Sequence, residues 1–463
     1  MFSTMSSKDI SFFKNFLIRH EKILTGIILA LLCVLVLMRI SIWTIADFGF
    51  VDARYFVETA RLILHGISPY NPETNPTPFK YPLQAPSMSF LSMPLCFLPN
   101  RFLAYFFFYL GGILAFFCFT FLVFHYYGFH IRDYIRLRWK NLPIWIVLFM
   151  IFSSSPFLFM LKHGQNSSMA AFFLFLALLF PKRDKQSNII FLGLAAAIKY
   201  SLLITLAPVL LIQKRLRLCI FSFLLFLFMV LVVGFWLDGI IPAIREYINL
   251  IIMDTKSGAN SYSNKTSLFF THVGFFRYQP VNTLIKGFLL VPYALALRII
   301  YLRGKKEPNA EADNAGGIPG VTALEWGAFT TLMMTISYHR SYDCILFVPF
   351  LGIIFLEMVK KVCREAEFKT FNLFWVLGSA GLLLFWTMPL KLVYAAETWI
   401  GSIFPGGQDV FYYSINPFNG LSSVMFPLSK FVMIGTTVFL FALELLHSSD
   451  FSTGTLSQKE KTE

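Results

Sequence analysis

The chain has 463 residues, of which 57% are hydrophobic, 18% aromatic and only 14% charged. A soluble domain carries roughly a quarter of its residues as charged side chains, so this composition excludes a soluble enzyme and specifies an all-α polytopic membrane protein. The net charge of +14 does not signal nucleic acid, because the basic residues recur in short loops between apolar runs, the pattern that encodes membrane orientation. Six cysteines (Cys33, Cys96, Cys118, Cys219, Cys344 and Cys363) are scattered without a CxxC or a Cys/His cluster, which predicts neither a disulfide framework nor a zinc site.

Residues 1–22 hold Lys8, Lys14, Arg19 and Lys22 and read as a basic cytoplasmic tail. The apolar run 23–45 behind it is too long for a cleavable signal and lacks a small-residue cleavage site, so it is expected to be the first transmembrane helix. About 20 apolar residues cross a bilayer. Runs of spanning or near-spanning length follow at 101–125, 142–160, 168–180, 188–212, 218–236, 281–302, 322–337, 344–359, 371–388 and 424–446. The run 188–212 carries Lys199 at its middle, where a lysine at the bilayer centre costs about 2.5–3.5 kcal/mol. A hairpin of two short helices with Lys199-Tyr200-Ser201 at its tip removes that cost and gives twelve crossings with both termini cytoplasmic. It also places 23 of the Lys and Arg residues on the cytoplasmic side against 11 on the other, whereas one helix would separate the basic pairs Lys182-Arg183 and Lys214-Arg215. The expected architecture is a single membrane-embedded domain over 23–446, a bundle of about twelve transmembrane helices. Residues 303–321 form a flexible cytoplasmic loop and 447–463 a disordered cytoplasmic tail, and the Pro-broken segment 86–99 dips into the membrane without crossing.

The polar segments then gather on the outer face. Asp52 starts a short helix on which Arg54, Glu58, Arg61 and His65 share one side and Phe56, Ala60, Ile63 and Leu64 the other. This amphipathic pattern predicts an interfacial helix lying flat on the membrane, stopped at Gly66 and followed by a turn at Pro69-Tyr70-Asn71-Pro72. On spacing alone Asp52 serves as a helix N-cap or as a chemical group, and Asp47 is a rival carboxylate. His163-Gly164-Gln165-Asn166 is a very short polar link, read either as part of a site or as a turn with satisfied amides. Lys199 either faces a cavity and a partner or snorkels to the surface. Tyr338-His339-Arg340-Ser341-Tyr342-Asp343 packs cation, imidazole and carboxylate into one tight link, or forms a solvated turn with an internal ion pair. An enzyme with an outward-facing site fits this one-sided polarity. A transporter or flippase of an amphipathic solute is the alternative, although no Gly/Pro-interrupted helices repeat in two matching halves.

The order Asp52, Tyr55, Gly66, Pro69-Tyr70, then Phe79-Lys80-Tyr81-Pro82 resembles the first-loop signature of family 87 glycosyltransferases, integral-membrane enzymes of the GT-C class. The resemblance continues through Gly164-Gln165-Asn166, the Ala-Ala-Ile-Lys run ending at Lys199 and Ser337-Tyr338-His339, and covers roughly residues 45–350. Two positions depart from the family pattern: Leu83 follows Tyr81-Pro82, and Asn264-Lys265-Thr266-Ser267-Leu268 replaces a more usual Asn-Gln-Ser-Leu. The resemblance implies a GT-C-like bundle that transfers a mannose-like hexose from a polyprenyl-phosphate donor to a lipid or glycan acceptor at the outer membrane face. It places the catalytic aspartate on Asp52, ahead of Asp47. Donor-phosphate ligands are then expected among Lys199, His339, Arg340 and His163. Substrate-pocket residues are expected among Asp47, Tyr55, Tyr81, Gln165, Asn166 and Asp343. No cofactor and no metal are called for, since no outer carboxylate cluster offers a cage. The membrane expected is the bacterial inner membrane.

Overall fold

A computed structural model describes residues 19–45, 51–76, 85–130, 138–179, 186–212, 214–237, 239–257, 279–306, 331–332, 341–364 and 370–388, together with 399, 403, 432, 434–439 and 442. These residues are overwhelmingly helical and contain no strand. In chain order the helices are α1 (Glu21–Ile45), α2 (Val51–Leu64), α3 (Pro86–Ser92), α4 (Arg101–Tyr126), α5 (Leu142–Phe152), α6 (Ser155–His163), α7 (Ser167–Leu179) and α8 (Gln186–Ile198). They continue as α9 (Tyr200–Ile212), α10 (Leu216–Trp236), α11 (Ile240–Ser257), α12 (Gln279–Lys306), α13 (Val348–Arg364) and α14 (Thr370–Thr387). Short 3-10 helices at Met93–Phe97 and Ser341–Leu346 lie between them.

Local chemistry sets the boundaries. Proline stands in the first turn of α3, α5 and α6, where its missing N–H is not needed. The Asn100 side chain caps α4 by accepting the Phe102 N–H at 2.8 Å, satisfying one otherwise unpartnered donor. Ser153-Ser154 and Pro156 separate α5 from α6, which meet at a bend of 43°. Gly66, at φ +72°, ends α2 as its position predicted, with the Ile67 N–H returning to the Leu62 carbonyl at 2.9 Å.

Four helical segments, 21–41, 101–126, 216–236 and 283–302, are long and apolar enough to cross a membrane, and the bent α5–α6 pair adds a fifth. Twelve crossings are not reached among the described residues. The runs 168–180 and 188–212 form apolar helices of 10–17 residues, and the runs 322–337 and 424–446 lie largely outside the described residues.

The reversal expected at Lys199 is present. The Ser222 hydroxyl of α10 donates to the Ile189 carbonyl of α8 at 3.2 Å, and Gly193 of α8 abuts Leu225. Residue numbers therefore rise in the same direction along α8 and α10. Only three residues join α9 to α10, so α9 must run back from Lys199 to where α10 begins. Small residues permit the close approach. A Cβ on Gly193 would sit 2.6 Å from Leu225 Cδ2, and Ala195, Ala196 and Ala197 are buried beside it. Packing of small residues is the main attraction between helices in lipid, where burial of apolar surface gives little. Outward-facing Leu31, Leu37, Phe221 and Phe228 are the lipid-side counterparts of this core.

The flat helix is only half as expected. On α2, Ala53, Phe56, Val57, Ala60 and Ile63 are buried, and the helix packs on α3, α4 and the 93–97 turn. Its apolar face meets protein rather than bilayer.

Candidate active site

Asp52 lies inside the first turn of α2, one residue within the helix rather than ahead of it as an N-cap. A carboxylate there still interacts favourably with the positive end of the helix dipole. Asp52 is 7% exposed. One carboxylate oxygen accepts a hydrogen bond from Gln165 Nε2, a residue 113 positions away. The other has no partner among the described residues.

Two glycines bring Gln165 to that carboxylate. Gly164 ends α6 in the left-handed region at φ +69°, its N–H capping the Met160 carbonyl at 2.8 Å. A Cβ at Gly164 would lie 3.1 Å from Ala53 Cβ and 3.5 Å from the Ala53 nitrogen. The α6–α7 link can therefore touch the first turn of α2 only because glycine stands there. On the opposite side, a Cβ at Gly112 of α4 would lie 3.0 Å from the Gln165 carbonyl oxygen. The Ser168 hydroxyl pins the start of α7 to the Gly112 carbonyl at 2.7 Å. Gln165 and Asn166 are both buried at this junction. His163, on the last turn of α6, stacks its ring on Phe159 with centroids 6.2 Å apart. Tyr55 is half-buried one turn beyond Asp52.

Lys199 breaks the helix between α8 and α9 and is half-buried. Its end of the hairpin is tied to α3, whose Ser87 hydroxyl donates to the Ala197 carbonyl at 2.8 Å. Because α3 also packs on α2, one short helix links the hairpin tip to the helix that carries Asp52. The 3-10 helix 341–346 packs on α6 and α7, the two helices joined by the Gly164–Asn166 link. Asp47, Tyr81, His339 and Arg340 fall outside the described residues, as does the side chain of Asp343.

Sequence reasoning missed several neighbours. Glu58 accepts from Tyr105 and pairs with Arg61 at 3.4 Å and Arg101 at 3.8 Å, while Arg54 stands 5.7 Å over the Tyr105 ring. The Glu58–Arg61 spacing was a legible signal, but the tyrosine inside an apolar span was not. The turn 65–76 is covered by α11: Ser68 donates to Glu246, and Tyr70 meets Tyr247 edge-on at 5.3 Å. Tyr70 is fully buried beside Ser89, yet neither hydroxyl makes a hydrogen bond of normal geometry among the described residues. Burial pushes the Tyr70 phenol above its ordinary value. No group of three metal-ligating side chains occurs among the described residues.

A family model described as glycosyltransferase family 87 matches residues 79–318, more than half of the chain. Tyr81, His163, Gln165, Asn166 and Lys199 fall inside the matched stretch, Asp47, Asp52 and Tyr55 precede it, and His339, Arg340 and Asp343 follow it. No curated protein and no solved structure matches the chain.

Proposed function

Given that the chain belongs to glycosyltransferase family 87 and is a membrane glycosyltransferase, we propose that it moves a mannose-like hexose from a polyprenyl-phosphate donor to a lipid or glycan acceptor at the outer face of the bacterial inner membrane. The observation that carries the reading is the buried Asp52 carboxylate, held on one oxygen by Gln165 and with no partner for the other among the described residues. An acceptor hydroxyl must lose its proton as it attacks the anomeric carbon, and a fixed carboxylate within hydrogen-bond reach can take it. Asp52 is the general base of this scheme. Attack forms the new C–O bond from the face opposite the departing phosphate, so the anomeric configuration inverts. The phosphate leaves with the electron pair of the broken C–O bond, in a water-poor site where fixed positive charge counts for most. Lys199 is the foremost candidate to meet that charge, and His339, Arg340 and His163 are further candidates. Gln165 holds the base in place, and Tyr55, Tyr81, Asn166, Asp47 and Asp343 are candidate contacts to the sugar or the acceptor.

Membranes containing the chain, incubated with a radiolabelled polyprenyl-phosphate hexose, test the reading. Label appearing in a new lipid or glycan product with inverted linkage supports it. Label accumulating inside vesicles without product means transport instead.

A further inference from the structure

A second group of polar atoms lies away from Asp52, where α1, the start of α6 and the end of α14 meet. Arg39 of α1 donates one guanidinium nitrogen to the Thr387 carbonyl. Ser155 of α6 donates to the next carbonyl, Met388, at 3.1 Å. Two consecutive carbonyls thus bring Arg39 and the first turn of α6 together.

The vertical register agrees. Glu21 accepts the Trp139 N–H at 2.8 Å, so α1 and the α5–α6 pair start side by side. Arg39 lies 18 residues beyond Glu21 and Ser155 lies 16 beyond Trp139, which at about 1.5 Å per residue puts them near the same level.

This junction is electrostatically incomplete. Among the described residues, Arg39 Nε and Nη2 are buried without a partner, and so is the Ser154 hydroxyl, on a residue that is fully buried. The N-terminus of α6, a nine-residue helix, adds its own partial positive charge. A half-buried guanidinium whose two buried nitrogens lack a partner among the described residues calls for an anion. Depth says which anion: Arg39 is roughly 27 Å along α1 from Glu21, close to the ~30 Å thickness of the hydrocarbon core, which puts its long side chain at the far edge of that core, within reach of the second layer of lipid headgroups. Neighbouring Leu35, Leu37 and Met38 are exposed on the flanks of α1, so lipid reaches this seam.

We propose that the junction of α1, α6 and α14 binds a phosphate group carried by a membrane lipid, with the Arg39 guanidinium and the Ser154 hydroxyl as donors. It is not the phosphate that leaves at Asp52. The length of α6, roughly 12 Å, separates the two places, whereas a leaving phosphate lies within a few ångströms of the attacked carbon. The occupant is the phosphate of a phospholipid or of a polyprenyl phosphate held outside the reaction centre.

Native mass spectrometry of the purified full chain tests this without reading activity. Wild type should hold one more polyprenyl phosphate than Arg39→Met, while the matching polyprenol shows no such difference. Ser154→Ala should weaken the same binding event several-fold with no loss of folded stability, because it removes a hydroxyl that is unpartnered in the free protein. Asp52→Asn and Lys199→Met should retain the Arg39-dependent lipid. Competition by phosphatidylglycerol assigns the site to phospholipid, and failure of such competition assigns it to the polyprenyl carrier. Arg39→Met and Ser154→Ala both binding as wild type would overturn the proposal, and so would loss of the event in Asp52→Asn. If Arg39→Met does not fold, Ser154→Ala decides.

Discussion

The approach of the Gly164 link to α2 makes a demanding prediction, because another left-handed glycine provides its control. Gly164 and Gly66 have nearly the same backbone, at φ +69° and +72°. Either glycine replaced by alanine incurs the left-handed strain of about 1–2 kcal/mol. Their surroundings differ. A Cβ at Gly66 meets nothing within 4 Å, whereas at Gly164 it lies 3.1 Å from Ala53 Cβ, a distance that forces the link and α2 apart by a few tenths of an ångström. The displaced residues include Gln165 and Asp52, and misplacement of a reacting group by about 1 Å can cost 10²-fold in rate. Thermal unfolding in detergent and the initial rate of sugar transfer should be measured on both variants. Both should lose stability to the shared strain, Gly164→Ala somewhat more because of the crowding, but Gly164→Ala should also lose at least tenfold more transfer than Gly66→Ala. Equal rates in the two variants would refute the claim that this contact sets the geometry of the base.

Three further outcomes follow from neighbouring residues. The buried Tyr70 hydroxyl has no hydrogen bond of normal geometry among the described residues, which makes Tyr70→Phe neutral or slightly stabilising, checked by unfolding at neutral pH. The folded state raises the Tyr70 pKa above its ordinary value of 10.0. Its contribution is therefore fully present below pH 10 and lost as pH rises beyond it, and Tyr70→Phe should flatten that alkaline decline. Ser87→Ala removes the hydrogen bond to the Ala197 carbonyl and should cost about 1 kcal/mol of stability, with a larger fall in transfer if α3 aligns the Lys199 tip. A cysteine introduced at position 199 should react with an impermeant thiol reagent from the outer side of intact cells, and labelling from the cytoplasm alone would contradict the expected orientation.

Much of this arrangement was written in the residues. The hairpin was legible because a charge at a bilayer centre is costly, which turned Lys199 into a marker of a reversal. Gly66 was legible because a helix stop needs a left-handed residue and glycine adopts it without strain. The apolar stripe of α2 was visible as well, but periodicity reports only that a face is covered, not whether lipid or protein covers it. The Asp52–Gln165 contact joins positions 113 residues apart, and no local spacing encodes it. Gln165 drew notice only through its polar link and the family resemblance. Arg39 went unread because one cation near the end of a long apolar run looks like a snorkelling side chain. Only its two buried nitrogens separate it from that ordinary role.

The central claim is that Asp52 takes the proton of the acceptor hydroxyl, and a single-turnover assay of purified Asp52→Asn tests it most directly. Asparagine keeps the size of the side chain but cannot accept that proton, so transfer from a polyprenyl-phosphate hexose should fall by about 10²–10⁴-fold, with donor binding retained and the protein still folded. A rate near wild type in a folded, donor-binding Asp52→Asn protein would contradict the account.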